Sequence, residues 1–289
     1  MPERTSMVTM QTSLKKKLER FYLDYNFRER LKHDPIEFPH RYSVPADVEV
    51  AGFIASCFAY GRIELFKPVI EGILSPGGRH PARYFKSFSL KKDGPYFERI
   101  NYRFNKGKDI LCLLFILNQT LKERGSLKAL FNHHYRPEDN DIGRALGKFV
   151  HYLMNIDTSP VYGRDIRPYG LKQFFPSPES GSACKRLNLF LRWMVRTKDI
   201  DLGVWDNISP SKLIIPLDTH IARISRCLSL TKRKASDWKT AKEITESLKQ
   251  FDPDDPLKYD FALCHHGISR LCKGRGFRDI CSTCSFVSQ

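Results

Sequence analysis

The stretch Ile214-Ile-Pro-Leu-Asp-Thr-His-Ile-Ala-Arg-Ile224 decides how this chain is read. Pro216 disfavours helical geometry at Ile215, so no helix runs through this point. Asp218 then stands as an N-cap, its carboxylate facing the free N–H groups of a helix expected to reach about Leu230. Ile221, Ile224 and Leu228 recur three and four residues apart and give that helix an apolar stripe. An aspartate at such a position is first of all a cap. Whether it does more depends on what faces it.

Helical periodicity continues outward in both directions. Leu14, Leu18, Phe21, Tyr22 and Tyr25 form one stripe, and Val50, Phe53, Ile54, Cys57 and Phe58 another. Ile142, Leu146, Phe149, Val150 and Leu153 follow, then Leu187, Phe190, Leu191 and Met194, then Trp238, Ala241, Ile244, Leu248 and Phe251. Strand alternation is nearly absent. Breaks are expected at residues 75–81, 91–95 and 157–181, where Pro, Gly and Tyr collect. Asp252-Pro-Asp-Asp-Pro256 predicts a turn, with Asp255 as cap and Pro256 opening a helix that reaches about Leu271. The expectation is an all-α fold of about ten helices. Residues 1–12 would be a flexible N-terminus and 13–289 one helical domain.

The 289 residues carry a net charge of +16 and a pI near 9.5. The excess is shared by both halves, so a basic folded surface is expected, not a basic tail. Such a surface favours a polyanion, because neutralising phosphates releases condensed counterions. The longest apolar run, Leu111-Cys-Leu-Leu-Phe-Ile-Leu117, falls far short of the roughly 18 residues of a membrane span. Residues 1–12 contain no apolar signal core, which argues against export. Eight cysteines in a chain of this length do not make a secreted disulfide scaffold, and four of them fall in the last 26 residues.

Lys185 opens Lys-Arg-Leu-Asn-Leu-Phe-Leu-Arg-Trp-Met-Val, directly after the turn Pro-Ser-Pro-Glu-Ser-Gly-Ser-Ala-Cys of residues 176–184. Most lysines are solvated charges; the position is what raises this one. A glycine-containing turn can approach a phosphate through its N–H groups, and the helix that follows is otherwise apolar. Partial desolvation there would favour the free amine that attack requires.

With these residues in view, the chain resembles the helix-hairpin-helix DNA glycosylase superfamily, whose members pair a hairpin lysine with an aspartate in a Val/Leu-Asp-x-His/Arg segment. Leu217-Asp-Thr-His-Ile-Ala-Arg-Ile224 is similar to that segment. The spacing from Lys185 to Asp218 is closer to the archaeal 8-oxoguanine glycosylase branch than to the endonuclease-three branch. The chain also resembles an uncharacterised bacterial family carrying the Ile-Ile-Pro-Leu-Asp-Thr-His and Lys-Tyr-Asp-Phe-Ala patterns. The resemblance covers roughly residues 46–284.

It implies two helical subdomains flanking a cleft, and a cytoplasmic, nucleoid-associated monomer that excises an oxidised purine. Lys185 would attack C1′ of an extruded nucleotide and Asp218 would take its proton or stabilise positive charge on the sugar. Val50-Ala-Gly-Phe-Ile-Ala-Ser-Cys-Phe-Ala-Tyr-Gly-Arg62 is similar to the helix ending in a residue wedged into the duplex, which brings Tyr60 and Arg62 to the DNA; the alternative is a core helix that Gly61 ends. Gly181, Ser182, Arg186 and His220 are the further DNA-contact candidates. The usual Leu-Pro-Gly-Val-Gly hairpin is absent, and only Gly181 stands in its place. Tyr162, Tyr169, Phe174 and Phe175 are candidates to stack on the extruded base, or else belong to the core.

Cys264-x7-Cys272-x8-Cys281-x2-Cys284 resembles the cluster loop of endonuclease-three proteins and implies a [4Fe–4S] cluster or zinc. The fourth cysteine after the tight pair is missing, and Cys264 would substitute from inside a helix. Cys57, Cys112 and Cys227 read as core thiols, and Cys184 as a thiol lining the pocket. Two other readings stand beside the glycosylase. One is a non-catalytic helix-hairpin-helix module binding nucleic acid; the other is a metal-stapled scaffold in which Asp218 is only a cap.

Overall fold

The chain builds helices almost throughout, because its apolar residues recur at the helical period and its turns carry good N-caps. The computed structural model describes residues 2–269, together with Cys272 and Cys284, and side chains from Thr12 onward. The helices are α1 (Pro2–Leu23), α2 (Phe27–Leu31), α3 (Pro45–Cys57), α4 (Ile63–Leu74), α5 (Pro81–Lys86) and α6 (Leu90–Phe97). They continue with α7 (Gly107–Arg124), α8 (Leu127–His134), α9 (Gly143–Asn155), α10 (Ser159–Tyr162) and α11 (Tyr169–Lys172). The last four are α12 (Lys185–Val195), α13 (Thr219–Cys227), α14 (Trp238–Lys249) and α15 (Asp260–Ile268). Among the described residues no β-strand occurs, only isolated bridges such as Tyr102 to Asn105. No helix is long and apolar enough to cross a membrane among the residues described.

The all-α expectation holds, with more helices than the periodicity suggested. The additions include α2, α5, α10 and α11, each four to six residues long and too short to show a period. Residues 91–95 do not break the chain. Ser89 caps α6, accepting the Lys92 N–H at 3.4 Å, while its own N–H reaches the Asp93 carboxylate at 2.8 Å. That reciprocal cap starts a helix which then tolerates Pro95. The helix expected from Pro256 starts only at Asp260, because the Asp255 carboxylate turns inward to the Arg196 guanidinium at 2.8 and 2.9 Å. Helix α13 stops at Cys227, short of Leu230, where Ser229 turns the backbone left-handed.

The core is centred on α3, buried on every face from Asp47 to Cys57. Of its two buried carboxylates, Asp47 and Glu49, the second is fully employed. It accepts the N–H groups of Leu127 and Lys128 at 2.8 Å, and the Trp205 indole N–H at 3.0 Å. A buried carboxylate thus caps α8 from a neighbouring helix, which satisfies donors that α8 leaves orphaned. Helix α12 packs on α3 where Gly52 lets the Met194 side chain come close. Helices α13 and α15 pack on each other through Gly267, which lies against His220 and Ile224. The start of α12, the end of α3 and the α13–α15 pair then face one another across a cleft.

Candidate active site

The segment before Asp218 is extended and buried. Leu213, Ile214, Ile215 and Leu217 are all core residues, and the Ile215 N–H is satisfied by Thr245 Oγ1 at 3.0 Å. This anchored strand of chain fixes where Asp218 stands. Its Oδ1 accepts the N–H groups of His220 (2.9 Å) and Ile221 (2.8 Å), the expected helix cap. Capping uses one oxygen. Oδ2 is left facing the cleft, where Lys185 Nζ lies at 3.7 Å and the Cys264 thiol donates to it at 3.6 Å.

Lys185 is the first residue of α12, where a positive charge opposes the helix dipole. The residue before it, Cys184, is left-handed at φ +49°, a conformation costing a non-glycine residue about 1–3 kcal/mol. The turn holds it there. The Cys184 N–H reaches Ser182 Oγ and its thiol donates to the Pro176 and Ser182 carbonyls, all at 3.3 Å. Burial pushes this thiol up to about 12, so it stays a neutral donor. The strained start aims Lys185 inward, and Nζ also donates to the Ala59 carbonyl at 3.3 Å. About a third of the lysine side chain remains exposed, so the amine is reachable from solvent.

The cleft has a volume of about 860 Å³. Ala59, Tyr60, Gly61 and Arg62 line it from the end of α3, and Leu217, Asp218 and His220 from the start of α13. Asp34, Arg192, Asp260 and Cys264 line it as well. Asp260 is buried and pairs with the equally buried Arg192 at 2.5 Å. Burial pushes the Asp260 carboxyl up to about 6; Arg192 opposes the rise, and Asp218 adds to it. Burial, then the Asp218 and Asp260 carboxylates, push the Cys264 thiol well above the ordinary cysteine range. That thiol is therefore a proton donor to Asp218 and not a thiolate. Burial would also raise Asp34, but the hydrogen bond and charge of His265, 3.1 Å away, hold it below the usual carboxylate range.

Behind the cleft the charges form a closed set. Arg192 bonds Asp201 and Asp260, and Arg196 bonds Asp199, Asp201 and Asp255, all of them buried or nearly so. Sequence reasoning missed this group. Its signal was present in Arg192 and Arg196, two arginines on an otherwise apolar helix face, and in Asp260 of the Lys-Tyr-Asp-Phe-Ala pattern.

The other expected residues divide. Tyr60, Arg62 and His220 line the cleft. Gly181 is left-handed, as a turn glycine should be, but its carbonyl accepts the Trp238 N–H at 2.9 Å and it does not line the cleft. Ser182 bridges to Asp237. Arg186 spends its guanidinium on the Cys57 carbonyl (2.7 Å) and the Gln173 carbonyl and lies 4.9 Å over the Tyr60 ring, so it braces Tyr60 and does not reach out to a phosphate. Of the loop aromatics, Phe174 and Phe175 are core, and the Tyr162 hydroxyl donates to Asp109 at 2.8 Å. Tyr169 alone of the four is exposed.

Cys57 and Cys112 are core thiols as expected, Cys227 is half-buried, and Cys184 is buried away from the cleft instead of lining it. Cys264 is a cleft residue engaged with Asp218. Cys272 and Cys284 are buried, and Cys281 lies outside the described residues. Among the described residues no group of three or more His, Cys, Asp and Glu is arranged to hold a metal ion.

A family model described as "Protein of unknown function (DUF2400)" matches residues 34–269. The chain belongs to that family. The matched span holds Asp34, Lys185, Asp218, Asp260 and Cys264, and ends before Cys272. No curated protein and no solved structure matches the chain.

Proposed function

We propose that this DUF2400 protein is a DNA glycosylase with abasic-site lyase activity, acting through a lysine Schiff base on an oxidised purine of the 8-oxoguanine kind. One observation carries the reading. Lys185 and Asp218, thirty-three residues apart in the chain, meet at 3.7 Å on the wall of a cleft large enough for a nucleotide. The net charge of +16 supports a polyanionic substrate. Helices on both sides of the cleft are what a helix-hairpin-helix glycosylase fold would require.

The chemistry follows from the parts. The target nucleotide leaves the stack and enters the cleft, since C1′ is inaccessible inside a duplex. The Lys185 ammonium gives a proton to Asp218 Oδ2, which the cap leaves available. The freed amine attacks C1′; the glycosidic bond breaks, its electron pair leaves with the base, and the base is protonated on departure. Opening the C1′–O4′ bond gives the Schiff base. Loss of a C2′ proton then expels the 3′ phosphate by β-elimination, and water hydrolyses the imine to restore Lys185. In the alternative role, with Asp218 still ionised, its carboxylate stabilises positive charge as it develops on the sugar. None of these steps uses the C-terminal cysteines. Cys264 has its thiol on Asp218, so a [4Fe–4S] cluster or zinc would have to draw its fourth ligand from elsewhere.

Borohydride trapping on duplexes carrying 8-oxoguanine, uracil, an oxidised pyrimidine or an abasic site tests this directly. A covalent band on 8-oxoguanine DNA that disappears in Lys185→Ala is the expected result. A band that persists in Lys185→Ala would reject Lys185 as the nucleophile. DNA binding with no band on any substrate would favour a non-catalytic binding module.

A further inference from the structure

Beside the cleft mouth, residues 102–105 form a tight turn that does not owe its shape to glycine. Tyr102 and Asn105 exchange both backbone hydrogen bonds, at 2.9 and 2.8 Å, and between them Arg103 is left-handed at φ +50°. The two outer residues are buried and the two at the tip, Arg103 and Phe104, are exposed. The turn is bolted down on both sides. The Tyr102 hydroxyl donates to the Tyr60 carbonyl, and the Tyr60 hydroxyl to Asn105 Oδ1. Asn105 Nδ2 donates to the Gly170 carbonyl at 2.6 Å.

Two glycines make this seating possible. A Cβ on Gly61, a cleft residue, would come within 2.7 Å of both the Arg103 guanidinium and the Tyr102 hydroxyl. A Cβ on Gly170 would meet the Phe104 carbonyl at 2.9 Å.

The tip displays apolar surface. Phe104 is 53% exposed and Tyr169 66%, and their rings pair edge to face at 6.3 Å. The Arg103 guanidinium lies 5.5 Å from the Phe104 ring. Buried anchors that hold two aromatic rings in solvent cannot be explained as core packing. Charge indicates the occupant. Residues 98–109 contain Arg99, Arg103, Lys106 and Lys108 against Glu98 and Asp109, and residues 165–176 contain Arg167 and Lys172 against Asp165. Lys108 pairs with Glu98 and Arg167 with Asp165, which leaves Arg99, Arg103, Lys106 and Lys172 as the cations of these segments with no ion pair among the described residues. Aromatic faces with cations between them suit a strand that alternates flat bases with phosphates.

We propose that Phe104 and Tyr169 form a stacking platform for unpaired bases of a nucleic-acid strand, next to the nucleotide received by the cleft. The proposal rests on the nucleic-acid reading of the cleft but not on its chemistry. The platform, and not the loop aromatics Tyr162, Phe174 and Phe175, would then hold the strand around the reacting nucleotide.

The test uses the full-length chain carrying Lys185→Ala, which forms no Schiff base through that residue. Affinities for a single-stranded oligonucleotide, a duplex with a central unpaired bulge and a fully paired duplex are compared with and without Phe104→Ala and Tyr169→Ala. Both residues are exposed, so both variants should fold. The expected result is weaker binding to the single strand and the bulge, by about 5- to 150-fold for each ring that stacks a base, with the paired duplex almost unaffected. The salt dependence should not change, because no charge is removed. In Phe104→Trp the new indole should be quenched by the single strand. Unchanged affinity in both alanine variants, an equal loss on the paired duplex, or absence of nucleic-acid binding altogether would overturn the platform. Intact stacking together with failed trapping in the wild-type chain would instead sink the lyase activity alone.

Discussion

Asp218 meets Lys185 with the oxygen that its own helix does not use. Oδ1 carries both cap hydrogen bonds, and Oδ2 faces the amine at 3.7 Å. A cap and a catalytic carboxylate are usually competing readings of one aspartate. In this cleft they occupy different atoms, so substitutions can separate them.

Asp218→Asn keeps a carbonyl oxygen for the cap, and Asn caps as well as Asp. We expect its melting temperature to stay near wild type while trapping falls by about 10²- to 10⁴-fold, the range for losing a positioned acid–base group. Asp218→Ala should lose the same activity and about 1 kcal/mol of stability besides. Thermal melts run beside the trapping gel separate the two effects. Equal activity in Asp218→Asn and wild type would leave Asp218 as a cap only.

Lys185→Arg retains the positive charge and the ion pair but presents no amine for Schiff-base formation. Folding should be almost unchanged, since a positive charge stays beside Asp218 and the replaced side chain is a third exposed. Covalent capture should vanish while DNA affinity persists, and a filter-binding assay reads the second part.

Arg192 is the only described partner of the Asp260 carboxylate and also bonds Asp201, with all three buried. Arg192→Met would leave the Asp260 carboxylate buried without its cation, while Asp201 keeps Arg196. Urea denaturation should report a loss of about 3–5 kcal/mol, the cost of breaking a buried pair from one side. A loss under 1 kcal/mol would mean that the cluster contributes little.

Asp260 makes a pH prediction with a definite sign. Its carboxyl is held up at about 6 in the folded chain, above the ordinary aspartate value. Between those two values the folded state binds more protons than the unfolded state. The contribution of Asp260 to stability is therefore fully present in acid and is lost as pH rises through about 6. Melting temperatures of wild type relative to Asp260→Asn should fall across that window and level off above it. A difference that rises with pH would contradict the assignment.

Cys264 is held protonated by burial and by two neighbouring carboxylates. Iodoacetamide should label it more slowly than an ordinary cysteine at neutral pH, with the adduct located by mass spectrometry. In Asp218→Asn one of those charges is gone, and labelling should speed up.

The parts of this protein that were legible in its sequence are those governed by local rules. Pro216 followed by Asp218 announces a helix start because capping is settled within three residues, and the apolar stripes of α3, α9, α12 and α14 report burial directly. Lys185 could be singled out by its position after a turn. What could not be read was partnership across the fold. Asp260 and Arg192 are unremarkable charges in one dimension, and only the packing of α15 behind α12 buries them together. Asp255 had good cap chemistry, yet Arg196, 59 positions away, draws its carboxylate elsewhere. The turn at Tyr102 carries none of the usual Gly or Asn-Gly signals; its own Tyr102 and Asn105 side chains, bonded to Tyr60 from outside it, hold Arg103 left-handed.

The buried cluster around Arg192 has a consequence for how the family can vary. Asp260 lines the cleft and is also a strut between two helices, so a change that retunes the pocket at this position also loosens the frame. Exchange of the carboxylate for an apolar group becomes tolerable only if the arginine changes with it. Positions 192 and 260 should therefore be inherited as a pair, and a library randomising both should recover folded chains mainly as matched combinations.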